Sequence, residues 1–252
     1  MSDKDLTNHY IKQMYDSSIS SEYNNNYEFN RWFVNDRLIT DYIMHYKALS
    51  FHLSSINFQS CFELGPGPGT WTRLLYRRNP GATFDLLDIS QAMKDQFILE
   101  MREQRNVEYQ VSDIHEFSTD KKYDLFFSSR AIEYIQDTEK LCTKILSLLK
   151  PGGKGIIITK NPNHIKSFYR FSASSSKRKQ HTGQIKPDDL KQYLERAGAS
   201  DIKIYPCSVR IPTLDKITLR LSKKFFEKSY TKNYEKLSRL AESYVVTFKK
   251  DK

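Results

Sequence analysis

The chain has 252 residues, enough to bury a full core, and its 38% apolar content with 16 Tyr and 15 Phe argues for a globular class over a disordered or fibrous one. A net charge of +10 suits an anionic partner (nucleic acid, a phosphorylated metabolite or a membrane surface) and equally suits a plain solvated basic surface. Three scattered cysteines, Cys61, Cys142 and Cys207, fit neither a disulfide framework nor zinc spacing. With a polar start and no apolar run near the ~18 residues that span a bilayer, the expectation is a reducing, cytoplasmic setting without an integral membrane segment.

Residues 1–25 are polar, with Ser and Asn clusters, and read as a loosely ordered lead-in holding at most one short helix near Leu6–Tyr15. From Tyr27 to about Leu53 the pattern turns helical: Phe29, Trp32, Phe33, Leu38, Ile39, Tyr42, Ile43, Tyr46 and Leu49 recur at three- and four-residue steps. This is one long amphipathic helix or two shorter ones, its aromatic stripe serving core packing or facing a site. Strand then alternates with helix. The first strand is Ser60–Leu64, followed by the turn Gly65-Pro66-Gly67-Pro68-Gly69 and a helix from Thr70 to about Arg78, broken at Asn79-Pro80-Gly81. The second strand is Ala82–Leu87, closed by Asp88, and a helix runs from Gln91 to about Arg105. The third strand is Val107–Val111, ending at Ser112-Asp113-Ile114, with a short polar connection to the fourth, Asp124–Ser128. Helix Thr138–Leu149 stops at Lys150-Pro151-Gly152-Gly153, and the fifth strand is Lys154–Lys160. Such alternation implies a parallel sheet with helices on both faces.

Two excursions interrupt the pattern. Residues 161–186 are polar, Ser-rich and basic, with the run Lys177-Arg178-Lys179; helix Pro187–Ala197 and a sixth strand, Ile202–Val209, follow. Residues 210–240 read as helical and hold nine Lys/Arg against three Asp/Glu before the last strand, Ser243–Phe248.

The glycine turn carries the most chemistry. Glycines at every second position permit positive φ and let a ligand approach bare backbone. The spacing differs from the G-x-G-x-x-G of dinucleotide-binding turns: the third glycine comes one residue early, and Glu63 stands two residues before the first. That spacing resembles the signature loop of the class I S-adenosylmethionine-dependent methyltransferases. Three further features occur in that family's order: Asp88 at the end of strand two, Asp113 at the end of strand three, and Leu148-Leu149-Lys150-Pro151-Gly152-Gly153 before strand five. The resemblance covers about residues 57–160 and, more loosely, the last strands.

The resemblance implies an α/β, Rossmann-like fold: a seven-stranded, mostly parallel sheet with helices on both faces. It divides the chain into an N-terminal helical cap, 1–55, and a methyltransferase domain, 56–252, with insertions at about 161–186 and 210–240, the latter a helical lid or acceptor-binding cap before the last strand. It implies S-adenosyl-L-methionine as cofactor, the methionine part lined by Glu63, Gly65, Gly67, Gly69 and Thr70, the ribose hydroxyls on Asp88, and the adenine on Asp113 between Ile89 and Ile114. Ser129 and Arg31 complete that set, and Arg37 could face the site beside Arg31. A dehydrogenase, the first rival, is disfavoured by the glycine spacing and by proline at two of the intervening positions. An aminopropyl transferase lacks its acidic pair in Ser128-Ser129-Arg130-Ala131-Ile132-Glu133-Tyr134.

The implied reaction is direct methyl displacement, which aligned reactants in a dry site accelerate and which needs no metal. A hydroxyl acceptor also needs a base. His181, in the basic segment after strand five, is the first candidate; Glu133, Tyr134 and His164 are others. The Asn/Asp-Pro-Pro-aromatic loop of base-amine methylation is missing after strand four, and Cys207 falls in strand six, where it reads as structural. Three functions stay open. One is methylation of an oxygen or nitrogen on a small molecule, glycan or lipid precursor. Another is RNA methylation using Lys177–Lys179 and the 210–240 face. The last is a non-catalytic cofactor-binding regulator.

Overall fold

The computed structural model describes residues 10–17, 19, 26–101, 104–164, 183–208, 230–231 and 241–251. Its centre is a seven-stranded sheet: β1 (Ser60–Leu64), β2 (Thr83–Asp88), β3 (Val107–Val111), β4 (Tyr123–Ser129), β5 (Leu149–Lys160), β6 (Ala199–Ser208) and β7 (Ser243–Lys250). The spatial order is β3-β2-β1-β4-β5-β7-β6. β1 to β5 pair in parallel, while β7 runs antiparallel between β5 and β6. The order reverses between β1 and β4, so their C-terminal ends open a crevice, the position where open α/β sheets bind ligands.

Helices cover both faces: α1 (Tyr27–Trp32), α2 (Asp36–Leu53), α3 (Thr72–Arg78), α4 (Gln91–Met101), α5 (Thr138–Leu148) and α6 (Pro187–Arg196). The strands are apolar on successive residues because both of their sides are buried. Phe62, Phe126, Ile157 and Val246 meet Leu141, Ile145, Leu190 and Leu194 of α5 and α6 on one face. Their neighbours Cys61, Phe127, Ile158 and Val245 meet Leu49, Leu53, Leu75 and Phe97 of α2, α3 and α4 on the other. In the central strands the period-two alternation thus sends neighbouring apolar residues to opposite cores. All three cysteines are free and buried within them.

The structure departs from the sequence expectations at the joints. At the N-terminus the two-helix alternative is the one found, because Asn35 caps α2, its side chain accepting the Leu38 N–H. The aromatic stripe is not all core: Trp32 is buried, whereas Phe29 and Tyr46 are exposed. α3 begins at Thr72, so Thr70 stays in the turn. β5 begins at Leu149, five residues early. Leu149 pairs with Tyr123 and Lys154 with Leu125, so the Pro-Gly-Gly stretch is a bulge inside the strand, with Gly152 at φ 76°. Most of both expected insertions, at 161–186 and 210–240, lies outside the described residues.

Candidate active site

The turn after β1 forms the floor of the crevice. Gly65, Gly67 and Gly69 all have positive φ, at 70°, 54° and 89°. At Gly65 a Cβ would come within 2.2 Å of the Ala131 Cβ, so only a bare backbone lets the loops after β1 and β4 touch. Beneath the turn, Glu63 is buried and accepts the Thr72 hydroxyl at 2.7 Å. Burial pushes its carboxyl up to about 8, against the Thr72 bond and assisted by nearby Asp88.

Asp88 closes β2 and is held from both sides: Oδ2 accepts the Gly67 N–H and Oδ1 the Ser90 N–H, each at 3.1 Å. Burial still raises its pKa above the usual carboxylate value. Asp113 follows β3, its Oδ1 accepting the His115 N–H at 2.8 Å. Both acids and their following isoleucines, Ile89 and Ile114, line a single cleft with Gly65, Gly67 and Thr70. The cleft and its open mouth together enclose about 980 Å³.

The other end is built by the loop after β4 and by the N-terminal helices. Ser129, Arg130, Ala131 and Tyr134 contribute from the loop; Ile11, Tyr15, Tyr27, Arg31 and Trp32 form a roof. The roof is tied down. Asp16 accepts the Ser90 hydroxyl at 2.6 Å and the Ala92 N–H at 3.3 Å, adding a remote acid to the start of α4. Tyr27 N–H donates to Gln96 at 3.0 Å, and Glu28 pairs with Arg73. Tyr15 meets Tyr134 edge-on, ring centroids 5.5 Å apart.

Of the residues expected from sequence, Gly65, Gly67, Thr70, Asp88, Ile89, Asp113, Ile114, Ser129, Arg31 and Tyr134 are brought together on this cleft. Glu63 and Gly69 support the turn from outside the lining. Glu133 stands behind the wall, fully buried, with both carboxylate oxygens on Arg130. His164 is buried away from the lining, Arg37 is exposed, and His181 lies outside the described residues. Sequence reasoning missed the roof residues Ile11 and Tyr15 and the wall residue Arg130. The four-residue step from Ile11 to Tyr15 was the available signal. The polar surroundings hid it, and the lead-in is in fact helical over residues 10–17 and packed on the site.

The fold is one that solved methyltransferase structures share. Residues 62–153 match the family model described as a methyltransferase domain. Malonyl-[acyl-carrier protein] O-methyltransferase 1 of Ilyobacter polytropus is 36% identical over 92 residues, 36% of this chain and 34% of that protein. Trans-aconitate 2-methyltransferase of Yersinia pseudotuberculosis is 30% identical over 116 residues, 45% of this chain and 42% of that protein. The chain therefore spans less than half the length of these curated relatives. Among solved structures, the plantazolicin methyltransferase BpumL, in complex with a triazolic desmethylPZN analog and SAH, superposes with a TM-score of 0.63 at 14% identity, covering 98% of this chain and 96% of that one. Phosphoethanolamine N-methyltransferase 2 of Haemonchus contortus, in complex with S-adenosyl-L-methionine, superposes with a TM-score of 0.60 at 19% identity, covering 89% of this chain and 59% of that one. At such identities the likeness is one of fold.

Proposed function

We propose that the chain moves a methyl group from S-adenosylmethionine to an oxygen or nitrogen of a small molecule, glycan or lipid precursor. The observation that carries this is the convergence of the Gly65–Gly67 turn, Asp88 and Asp113 on one cleft at the sheet's switch point. The lining suits such a cofactor on two counts. The Gly67 backbone offers a cradle next to the Asp88 carboxylate, and Ser129 Oγ is buried without a partner among the described residues. When bound, the cofactor supplies an electrophilic methyl group on a sulfonium. Asp88 would accept the ribose hydroxyls, Asp113 would face the adenine between Ile89 and Ile114, and Arg31 would serve the methionine carboxylate. The helices before residue 55 act as a cap: with Tyr15, Tyr27 and Trp32 overhead they exclude water and hold the acceptor in line, which supplies much of the acceleration in a displacement.

Similarity to malonyl-[acyl-carrier protein], trans-aconitate and phosphoethanolamine methyltransferases supports a small-molecule class of acceptor. The RNA reading rests on Lys177–Lys179 and residues 210–240, which lie outside the described residues apart from Tyr230 and Thr231. Among the described residues no helix is long and apolar enough to cross a membrane. The test is an acceptor-free calorimetric titration with S-adenosylhomocysteine. Saturable binding is expected, and no heat at high protein concentration overturns the assignment.

A further inference from the structure

We propose that Arg130 binds an anionic group of the methyl acceptor, a carboxylate or phosphate, and that Glu133 is the positioning residue that turns its guanidinium toward the cleft. This rests on the methyltransferase reading above and specifies the substrate class for its acceptor end.

Arg130 is held in place by unusual means. It directly follows β4 and adopts φ 65°, a left-handed backbone disfavoured for a side chain of this size. Its N–H bonds the Ile158 carbonyl at 2.8 Å. Its side chain is 14% exposed and faces a carboxylate that is 0% exposed. Nε donates to both oxygens of Glu133 at 3.2 Å and Nη2 to one at 3.0 Å. Glu133 lies outside the lining and Arg130 within it. The edge of the fork that remains is Nη1, which makes no hydrogen bond among the described residues. A planar fork fixed on one edge presents the other to a planar or tetrahedral oxyanion. A buried ion pair is a weak source of stability compared with well-packed apolar side chains, so stability alone does not account for this one.

The surrounding charges agree. Lys160 is pushed down to about 8, first by Arg130, then by burial, with Arg31 adding to the effect. Three cations therefore crowd the ends of β4, β5 and α1. His45 behind them is pushed down to about 4, chiefly by burial, with Arg130 and Arg31 adding to it. The acids that face the group, Glu133, Asp41 and Glu242, all lie outside the lining, whereas Arg31 and Arg130 lie in it. The cleft thus sees the cations and not their counterions. Arg31 sits on the helical roof with its guanidinium 4.1 Å from the Trp32 ring centroid, and its assignment above to the cofactor's carboxylate leaves Arg130 for the acceptor.

The experiment titrates malonate, inorganic phosphate and neutral malonamide into the full chain, with and without S-adenosylhomocysteine. The proteins compared are wild type, Arg130→Lys, and the double variant Arg130→Met/Glu133→Gln, which removes both charges and so avoids leaving Glu133 buried alone. Wild type should favour malonate or phosphate over malonamide by about tenfold, as expected for a charge-assisted pair, and the better of the two anions tells carboxylate from phosphate. Arg130→Lys should weaken that preference and the double variant abolish it, while affinity for S-adenosylhomocysteine stays within about twofold. Anions that bind no better than malonamide, or a preference that survives the double variant, overturn the assignment. So does a parallel loss of S-adenosylhomocysteine affinity, because Arg130 would then serve the cofactor. An Arg130-dependent anion preference in a chain that binds no S-adenosylhomocysteine overturns the cofactor reading and leaves Arg130 as an anion site.

Discussion

Gly65 is where two loops from different ends of the site have to touch. An alanine there meets a positive φ and a 2.2 Å approach to Ala131 together. The strained backbone and the displaced loop should cost at least about 2 kcal/mol, since neither can relax without moving the wall after β4. Thermal unfolding of Gly65→Ala should show that loss, and S-adenosylhomocysteine affinity should fall with it; an unchanged midpoint would mean the loops do not pack as described. Glu63 makes a prediction in pH. Its folded pKa is raised, from 4.5 to about 8, so between those values the folded protein holds a proton that the unfolded chain has released. Stability is therefore greatest below about 4.5 from this group and declines as pH rises toward 8, by an amount on the order of a few kcal/mol. Asp88, also raised, adds to the same slope. Glu63→Gln keeps an acceptor for Thr72 and removes the ionisable group. Chemical denaturation should show the variant gaining on wild type as pH climbs from 5 to 9, and parallel curves would refute the burial-driven shift.

At the scale of elements, the N-terminal helical segment is the part whose role the sequence concealed. Residues 10–17 look like a polar lead-in because Lys12, Gln13, Asp16 and Ser17 are interspersed among their four apolar and aromatic residues. Only Ile11 and Tyr15 turn toward the cleft, and one turn's spacing is too short a period to stand out. The segment is fastened by Asp16 on Ser90 and Ala92, a cap supplied from 74 residues away, and no local pattern encodes that pairing. Asp16→Ala should cost about 1 kcal/mol, as lost caps do. The loss should appear locally: faster amide exchange across residues 10–17 and weaker S-adenosylhomocysteine binding, with a nearly unchanged global unfolding midpoint. A global shift equal to the local one would mean that the segment belongs to the main folding unit. The Pro-Gly-Gly stretch misleads in the opposite direction. Its residues favour a turn, yet pairing of Leu149 with Tyr123 draws them into β5 as a bulge, a tertiary contact overriding a correct local preference.

Across the whole molecule, legibility divides along the cleft. The Glu63–Gly69 turn, Asp88 and Asp113 were readable because each sits at the end of an apolar strand, and the alternation of strand with helix fixes which ends share an edge of the sheet. The strand order and the antiparallel course of β7 were not among the expectations, since spacing alone does not order strands. The acceptor end had no such rule: Tyr15 and Arg130 come from a lead-in and a loop whose only shared property is where the fold puts them. The same division sets a last test. Asp88 binds the Gly67 and Ser90 N–H groups at the end of the cleft assigned to the ribose, remote in sequence from the groups assigned to the methionine carboxylate and to the acceptor. Asp88→Asn retains one acceptor oxygen and loses the charge. Affinity for S-adenosylhomocysteine should drop about tenfold or more, as for loss of a charge-assisted hydrogen bond, and affinity for adenosine by a similar factor. Binding of methionine, and the anion preference of Arg130, should be unaltered. A loss shared by all these ligands would mean that Asp88 shapes the whole turn rather than contacting one part of the cofactor, and the division of the cleft into two independently built halves would then fail.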